Sequence, residues 1–211
     1  MSNARFIIGL GTGRCGTKTL SGLLTAQPGA HVTHERYGPV VKWEGSDAYA
    51  DRIAEPESDG RLRVYGDVSI NWLPYAERLA DHGALFIVLQ REFDAWKASW
   101  MRHMQDFRWF WPGGSTPAAS WDGSLPVYHD NPSKAEAVKR YYTEYYHECE
   151  QLQAAYPDRV IWVSTNQLGA PDEQKRILRH VGYDESEMHL AKGLNLKWVS
   201  HLKAFNERQA S

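Results

Sequence analysis

Gly11, Gly13 and Gly16 stand in one short run with Arg14, Lys18, Thr17 and Thr19. Glycine lets successive backbone N–H groups point into one small volume, and arginine and lysine add fixed positive charge. The chemistry such a run supports is capture of an anion, with phosphate and sulfate as the obvious guests. A Walker-type loop has the form G-x-x-x-x-G-K-[ST]. Gly11 and Gly16 supply its glycines, but Thr17 follows Gly16 and the lysine arrives one place late, at Lys18. The ATPase signature therefore fails by one residue. Glu35 stands 21 residues after Arg14, and Arg91 and Ser99 lie eight residues apart much further on. A carboxylate can take a proton from an attacking hydroxyl or amine. An arginine fork and a hydroxyl donor can together hold a second phosphate.

Regular elements must bring these residues together. Residues 6–10 are an apolar run, and Leu20, Leu23 and Leu24 recur at helical spacing, which predicts strand, glycine loop, helix. The helix adds its unsatisfied N–H groups and positive dipole end to the loop. After Pro28-Gly29, residues 30–34 read as a short strand returning beside the first, with Glu35 at its exit. Ligands of open parallel sheets bind outside the carboxyl ends of the strands, which favours Glu35 over other carboxylates. Residues 43–53 read as a short helix, 55–60 as a polar turn and 61–69 as a strand. Asp67, near that strand's exit, either holds a hydroxyl or cation at the site or caps the following helix. Residues 85–89 form a continuous apolar run ending at Gln90-Arg91, the sign of a central parallel strand buried on both faces. The helix after it carries Trp96, Trp100, Met104 and Phe107 on one stripe.

Residues 108–132 mix Trp109, Phe110, Trp111, Trp121 and Tyr128 with prolines and glycines and follow no regular period. Such an insert is either an acceptor-side lid or a cover for the core. Ser133 with Glu136 makes a capping box for a helix to about Ala155, striped with Val138, Tyr141, Tyr145, Cys149 and Leu152 as core. Residues 160–163 are another buried strand, and Ile177, Leu178 and Val181 mark a helix stopped by Gly182. The expected fold class is α/β: a three-layer P-loop type with a central, mainly parallel sheet flanked by helices, in a single domain over residues 1–211.

Composition bounds the partners. In 211 residues, 24 lysines and arginines stand against 26 aspartates and glutamates, so no overall field favours nucleic acid or an anionic membrane. Any anion must be captured locally. The two cysteines, Cys15 and Cys149, are far apart and one lies inside the loop, which argues against a disulfide and for a reducing compartment. The first strand leaves no room for a cleavable signal, and no apolar run reaches the roughly 20 residues of a membrane span, so a cytoplasmic protein is expected. The nine histidines show no metal-ligand spacing, and no metal is expected.

Arg14-Cys15-Gly16-Thr17-Lys18 resembles the 5'-phosphosulfate loop of the sulfotransferases, in which a basic residue, a small residue, Gly and Thr precede the helix. Arg91 and Ser99 resemble that family's 3'-phosphate site in residue type and spacing. The resemblance covers residues 6–24, Glu35 and 85–103, and more loosely 159–183. The interval from Arg14 to Glu35, with Ala26 and Pro28 between, is similar to the tyrosylprotein branch. Departures are Arg14, where many members carry lysine, and His34, where that branch has another acid. The resemblance implies in-line sulfuryl transfer from 3'-phosphoadenylyl sulfate (PAPS) to a hydroxyl or amine of a small-molecule or saccharide acceptor, leaving adenosine 3',5'-bisphosphate. It implies Glu35 as general base, with Arg14 and Lys18 offsetting charge on the departing phosphate. Gly13, Arg14, Cys15, Gly16, Thr17, Lys18 and Thr19 would bind the 5' end, and Arg91 and Ser99 the 3' end. Lys192-Gly193 is faintly similar to the family's late contact to the 3'-phosphate. His34 and Asp67 are the next candidates for the base. A small-molecule kinase or NTPase, and a nucleotide-binding module without catalysis, are the alternatives.

Overall fold

The first apolar run becomes β1, Arg5–Leu10, and the chain then alternates strands and helices. The computed structural model describes residues 4–37, 41–55, 62–103, 123, 125–130 and 132–191. Most of the aromatic insert, Met104, Phe107, the turn beyond Glu55 and Lys192-Gly193 lie outside these. The other strands are β2 (Ala30–His34), β3 (Val64–Val68), β4 (Leu85–Gln90) and β5 (Val160–Ser164). The helices are α1 (Thr17–Thr25), α2 (Ala48–Ala54), α3 (Ala76–Asp81), α4 (Phe93–His103), α5 (Lys134–Ala155) and α6 (Pro171–His180). The helix expected over 43–53 starts only at Ala48. No helix among the described residues is long and apolar enough to cross a membrane.

All four strand pairs are parallel, in a five-stranded sheet of order β2-β3-β1-β4-β5. Side chains alternate across it with the strand period of two. Phe6, Ile8, Leu10, Phe86 and Val88 face Trp96 and Trp100 of α4 and Tyr141, Tyr145 and Cys149 of α5. Ile7, Ile87, Leu89 and Val163 face the opposite way, against Leu20, Leu23 and Leu24 of α1 and Ile177 and Leu178 of α6. The result is a three-layer α/β fold.

One expectation is corrected. β2 does not return beside β1, because β3 lies between them and pairs with both. β3 is nearly all buried, whereas β2 carries His31, Thr33 and His34 and only Val32 is fully covered. The more polar strand takes the edge, where it disturbs no inner face. Gly66 makes the close β1–β3 contact possible. It pairs with Ile7 at φ 148, and a Cβ there would lie 1.8 Å from the Ile7 carbonyl oxygen.

The order also creates a crevice. β1 and β4 are neighbours, yet α1 leaves β1 toward one face and α4 leaves β4 toward the other. Their carboxyl ends, which carry the glycine loop and Arg91, therefore open onto a topological switch point, the usual ligand position in such sheets.

Candidate functional site

Backbone conformation marks the site independently of side chains. Among the described residues, Arg14 (φ 55) and Glu35 (φ 49) are the two non-glycine residues with positive φ. A left-handed L-residue costs on the order of 1–2 kcal/mol, and such strain clusters at functional sites. Gly16, at φ 98, carries the loop into α1, and a Cβ there would come 3.1 Å from the Leu168 side chain.

The loop's carbonyls are tied back into the protein. Trp96 Nε1 donates to the Gly13 oxygen at 2.9 Å, Arg91 Nη1 to that of Arg14 at 3.2 Å, and Thr165 Oγ1 to that of Cys15 at 2.6 Å. The Gly16 oxygen takes the Leu20 N–H at 3.0 Å as α1 begins. In a trans peptide the N–H points opposite the C=O. The N–H groups of Arg14, Cys15, Gly16 and Thr17 are thus turned away from these braces, at the positive end of α1.

Arg91 and Ser99 both meet the loop at Arg14. Arg91 holds its carbonyl, and Arg14 Nε donates to Ser99 Oγ at 3.4 Å. Arg14 and Lys18 are exposed and Arg91 is half-buried. The ion pairs among the described residues use none of the three. Arg14 and Arg91 gathered beside the loop, with Lys18 at the start of α1 facing Glu35, suit a multivalent anion. Cys15 sits under the loop with its thiol pushed up to about 12 by burial, so it is a neutral packing group rather than a nucleophile.

Glu35 follows β2, its backbone N–H held by the Val68 oxygen at 3.1 Å. Although β2 is two strands from β1, roughly 10 Å at the usual strand spacing, α1 bridges the gap. His34 Nε2 lies 3.0 Å from Thr17 Oγ1, and His34 Nδ1 lies 3.8 Å from Glu35 Oε2. Burial raises the Glu35 carboxyl above its usual range, Lys18 opposes that shift and Asp67 adds to it. A raised pKa makes the carboxylate a stronger proton acceptor once ionised.

Asp67 does not cap the helix that follows. It is buried, and Oδ1 accepts from Thr33 Oγ1 at 2.6 Å and the Arg36 N–H at 3.3 Å, while Oδ2 accepts from Trp72 Nε1 at 2.7 Å. It anchors the turn that presents Glu35. The cap of the following turn is Ser69, whose Oγ accepts the Asn71 N–H at 3.2 Å.

Sequence reasoning missed the braces. The α5 stripe is core, but Tyr145 on it and Tyr146 beside it also reach the site: Tyr145 Oη accepts the Gly11 N–H at 2.8 Å, and Tyr146 Oη lies 3.2 Å from Thr12 Oγ1 and donates to Leu89 O at 2.8 Å. Tyr142 Oη donates to the Arg91 oxygen at 2.6 Å. The available signal was tyrosine rather than phenylalanine at four positions of α5, Tyr141, Tyr142, Tyr145 and Tyr146, since buried phenols need partners.

Two solved structures that resemble the chain in fold are sulfotransferases. The crystal structure of a sulfotransferase from Alicyclobacillus acidocaldarius superposes with a TM-score of 0.55 and 14% identity, over 97% of this chain and 92% of that one. Mouse sulfotransferase SULT7A1, complexed with PAP, gives 0.54 and 12%, over 98% of this chain and 67% of that one. At these identities the likeness is one of fold: the chain has a sulfotransferase-like α/β fold. No protein-family model matches the sequence, and no curated protein matches it either.

Proposed function

We propose that the chain is a sulfotransferase that moves a sulfuryl group from PAPS to a hydroxyl or amine of a small-molecule or saccharide acceptor. The observation that carries this reading is the convergence of Arg14, Arg91 and Ser99 at the β1 and β4 exits, with Lys18 at the start of α1 facing Glu35. Two anion subsites at neighbouring strand exits suit a nucleoside bearing phosphate groups at its 3' and 5' ends. The PAP complex of the mouse structure supports that choice. The interval between Arg14 and Glu35 supports kinship with the tyrosylprotein branch.

PAPS supplies an activated sulfuryl group whose leaving group is a phosphate. The residues of this chain bind and steer. The loop N–H groups with Arg14 and Lys18 offset charge that grows on the leaving oxygen, and Glu35 takes the acceptor's proton, a contribution of roughly 10² to 10⁴-fold. Arg91 and Ser99 hold the 3'-phosphate and set the nucleoside's orientation.

Arg91→Ala tests the second subsite. Loss of a charge-assisted contact raises the Kd for adenosine 3',5'-bisphosphate by about 10- to 100-fold. Because Arg91 also braces the Arg14 carbonyl, affinity for adenosine 5'-phosphosulfate falls too, by only a few-fold. Equal losses in calorimetric titrations of the two ligands would assign Arg91 to the loop alone.

A further inference from the structure

Arg91 carries the proposed second subsite, and its backbone is pinned on both sides. The Gln90 carbonyl before it accepts the Thr165 N–H at the β5 exit at 2.9 Å. Its own carbonyl accepts the Tyr142 hydroxyl of α5 at 2.6 Å. Beyond it Glu92 caps α4, its carboxylate accepting the N–H groups of Asp94 and Ala95 at 2.9 Å each. The Arg91 guanidinium reaches back to the loop, where Nη1 donates to the Arg14 carbonyl at 3.2 Å.

The Tyr142 ring is held independently of its hydroxyl. Phe93 meets it at 5.0 Å between centroids, Trp96 at 4.9 Å and Tyr146 at 4.7 Å. Burial raises the phenol above its usual pKa range, so at neutral pH it keeps its proton, and a carbonyl oxygen can only accept. Donor and acceptor are therefore fixed. An arginine side chain is rich in rotamers, and its grip on an anion weakens with the freedom it must give up on binding. Anchoring the peptide at its root aims the guanidinium beforehand.

We infer that Tyr142 is a positioning residue for Arg91: its hydroxyl fixes the peptide at the β4 exit so that the guanidinium meets the nucleotide's 3'-phosphate already aimed. The inference rests on the nucleotide reading for the identity of that anion. Tyr145 and Tyr146 of the same helix brace the loop itself, at Gly11 and Thr12. One helix thus supports both anion subsites, and Tyr142 serves the second.

Calorimetric titration of Tyr142→Phe with two ligands tests it. Phenylalanine keeps the ring packing and removes the one hydrogen bond, so the Kd for adenosine 3',5'-bisphosphate rises about five- to tenfold, while that for adenosine 5'-phosphosulfate stays within about twofold. Equal losses for the two ligands, or no loss for either, overturn the inference. In an Arg91→Ala background the added Tyr142→Phe change lowers bisphosphate affinity no further, because its effect runs through Arg91. A second loss of full size there means that the phenol supports the fold in general, and overturns the inference too. Tyr183→Phe is the control, since that phenol also donates to a carbonyl, Pro28 O at 2.9 Å, beyond the C-terminus of α1. Both its Kd values stay within about twofold of wild type, and a bisphosphate loss matching that of Tyr142→Phe counts against the inference. A wild type that binds no bisphosphate overturns the nucleotide reading instead. The Arg91 Nε–H NMR signal, assigned by its loss in Arg91→Ala, then decides the role of Tyr142: displacement in Tyr142→Phe but not in Tyr183→Phe supports it, and an unmoved signal overturns it.

Discussion

Glu35→Gln lowers turnover by roughly two to four orders of magnitude while bisphosphate binding survives. The substitution keeps size and hydrogen bonding and leaves the left-handed backbone at φ 49 as strained as before. It removes the negative charge that faces Lys18 and, with it, the ability to accept a proton. Glu35 faces Lys18 at this end of the sheet, whereas Asp67 is buried and already accepts from Thr33, Arg36 and Trp72. The measurement is transfer of labelled sulfate to a pool of phenols, sugars and amines, beside calorimetric binding of the bisphosphate. Full turnover in the variant would remove Glu35 from the chemistry. Loss of nucleotide affinity with it would make the residue a support for the loop.

Gly66→Ala has the largest expected effect on stability. The added Cβ would sit 1.8 Å from the Ile7 oxygen at φ 148, so β3 must move away from β1 in the middle of the sheet. Backbone strain and overpacking together cost about 2–5 kcal/mol. At about 2–4 °C per kcal/mol for a chain of this size, Tm falls by roughly 4–20 °C. Gly169→Ala is the control, because its Cβ would meet nothing within 4 Å. Its Tm stays within about 2 °C. A thermal melt in which both variants match the wild type would contradict the β1–β3 packing. Gly66 also precedes the Asp67 that anchors the Glu35 turn, so a folded Gly66→Ala variant should lose activity out of proportion to its stability.

What the sequence makes legible here is local. Unbroken apolar runs mark β1 and β4 because strands buried on both faces need no alternation. The capping box at Ser133 and Glu136 places the start of α5 to the residue, since it is a contact between near neighbours. The glycine loop between β1 and α1 is likewise legible from type and spacing. What escapes the sequence is pairing between distant segments. Whether β2 lies beside β1 or β3 depends on how polar β2 is relative to β3 and on one glycine's clearance, a comparison between distant segments that β2 alone does not decide. The Thr165 hydroxyl on the Cys15 carbonyl spans 150 positions. The positive φ of Arg14 and Glu35 is imposed by the contacts around them, against the preference of both residue types.

The central claim is that the crevice between the β1 and β4 exits holds a nucleoside with phosphate groups at both its 3' and 5' ends. A thermal-shift titration tests it most directly. At 100 times its Kd, adenosine 3',5'-bisphosphate adds about 2.7 kcal/mol of stability, which raises Tm by on the order of 5–10 °C. ATP with magnesium, which lacks the 3'-phosphate that Arg91 and Ser99 would hold, should give a clearly smaller rise. A larger rise with ATP and magnesium than with the bisphosphate would contradict the account and favour a kinase.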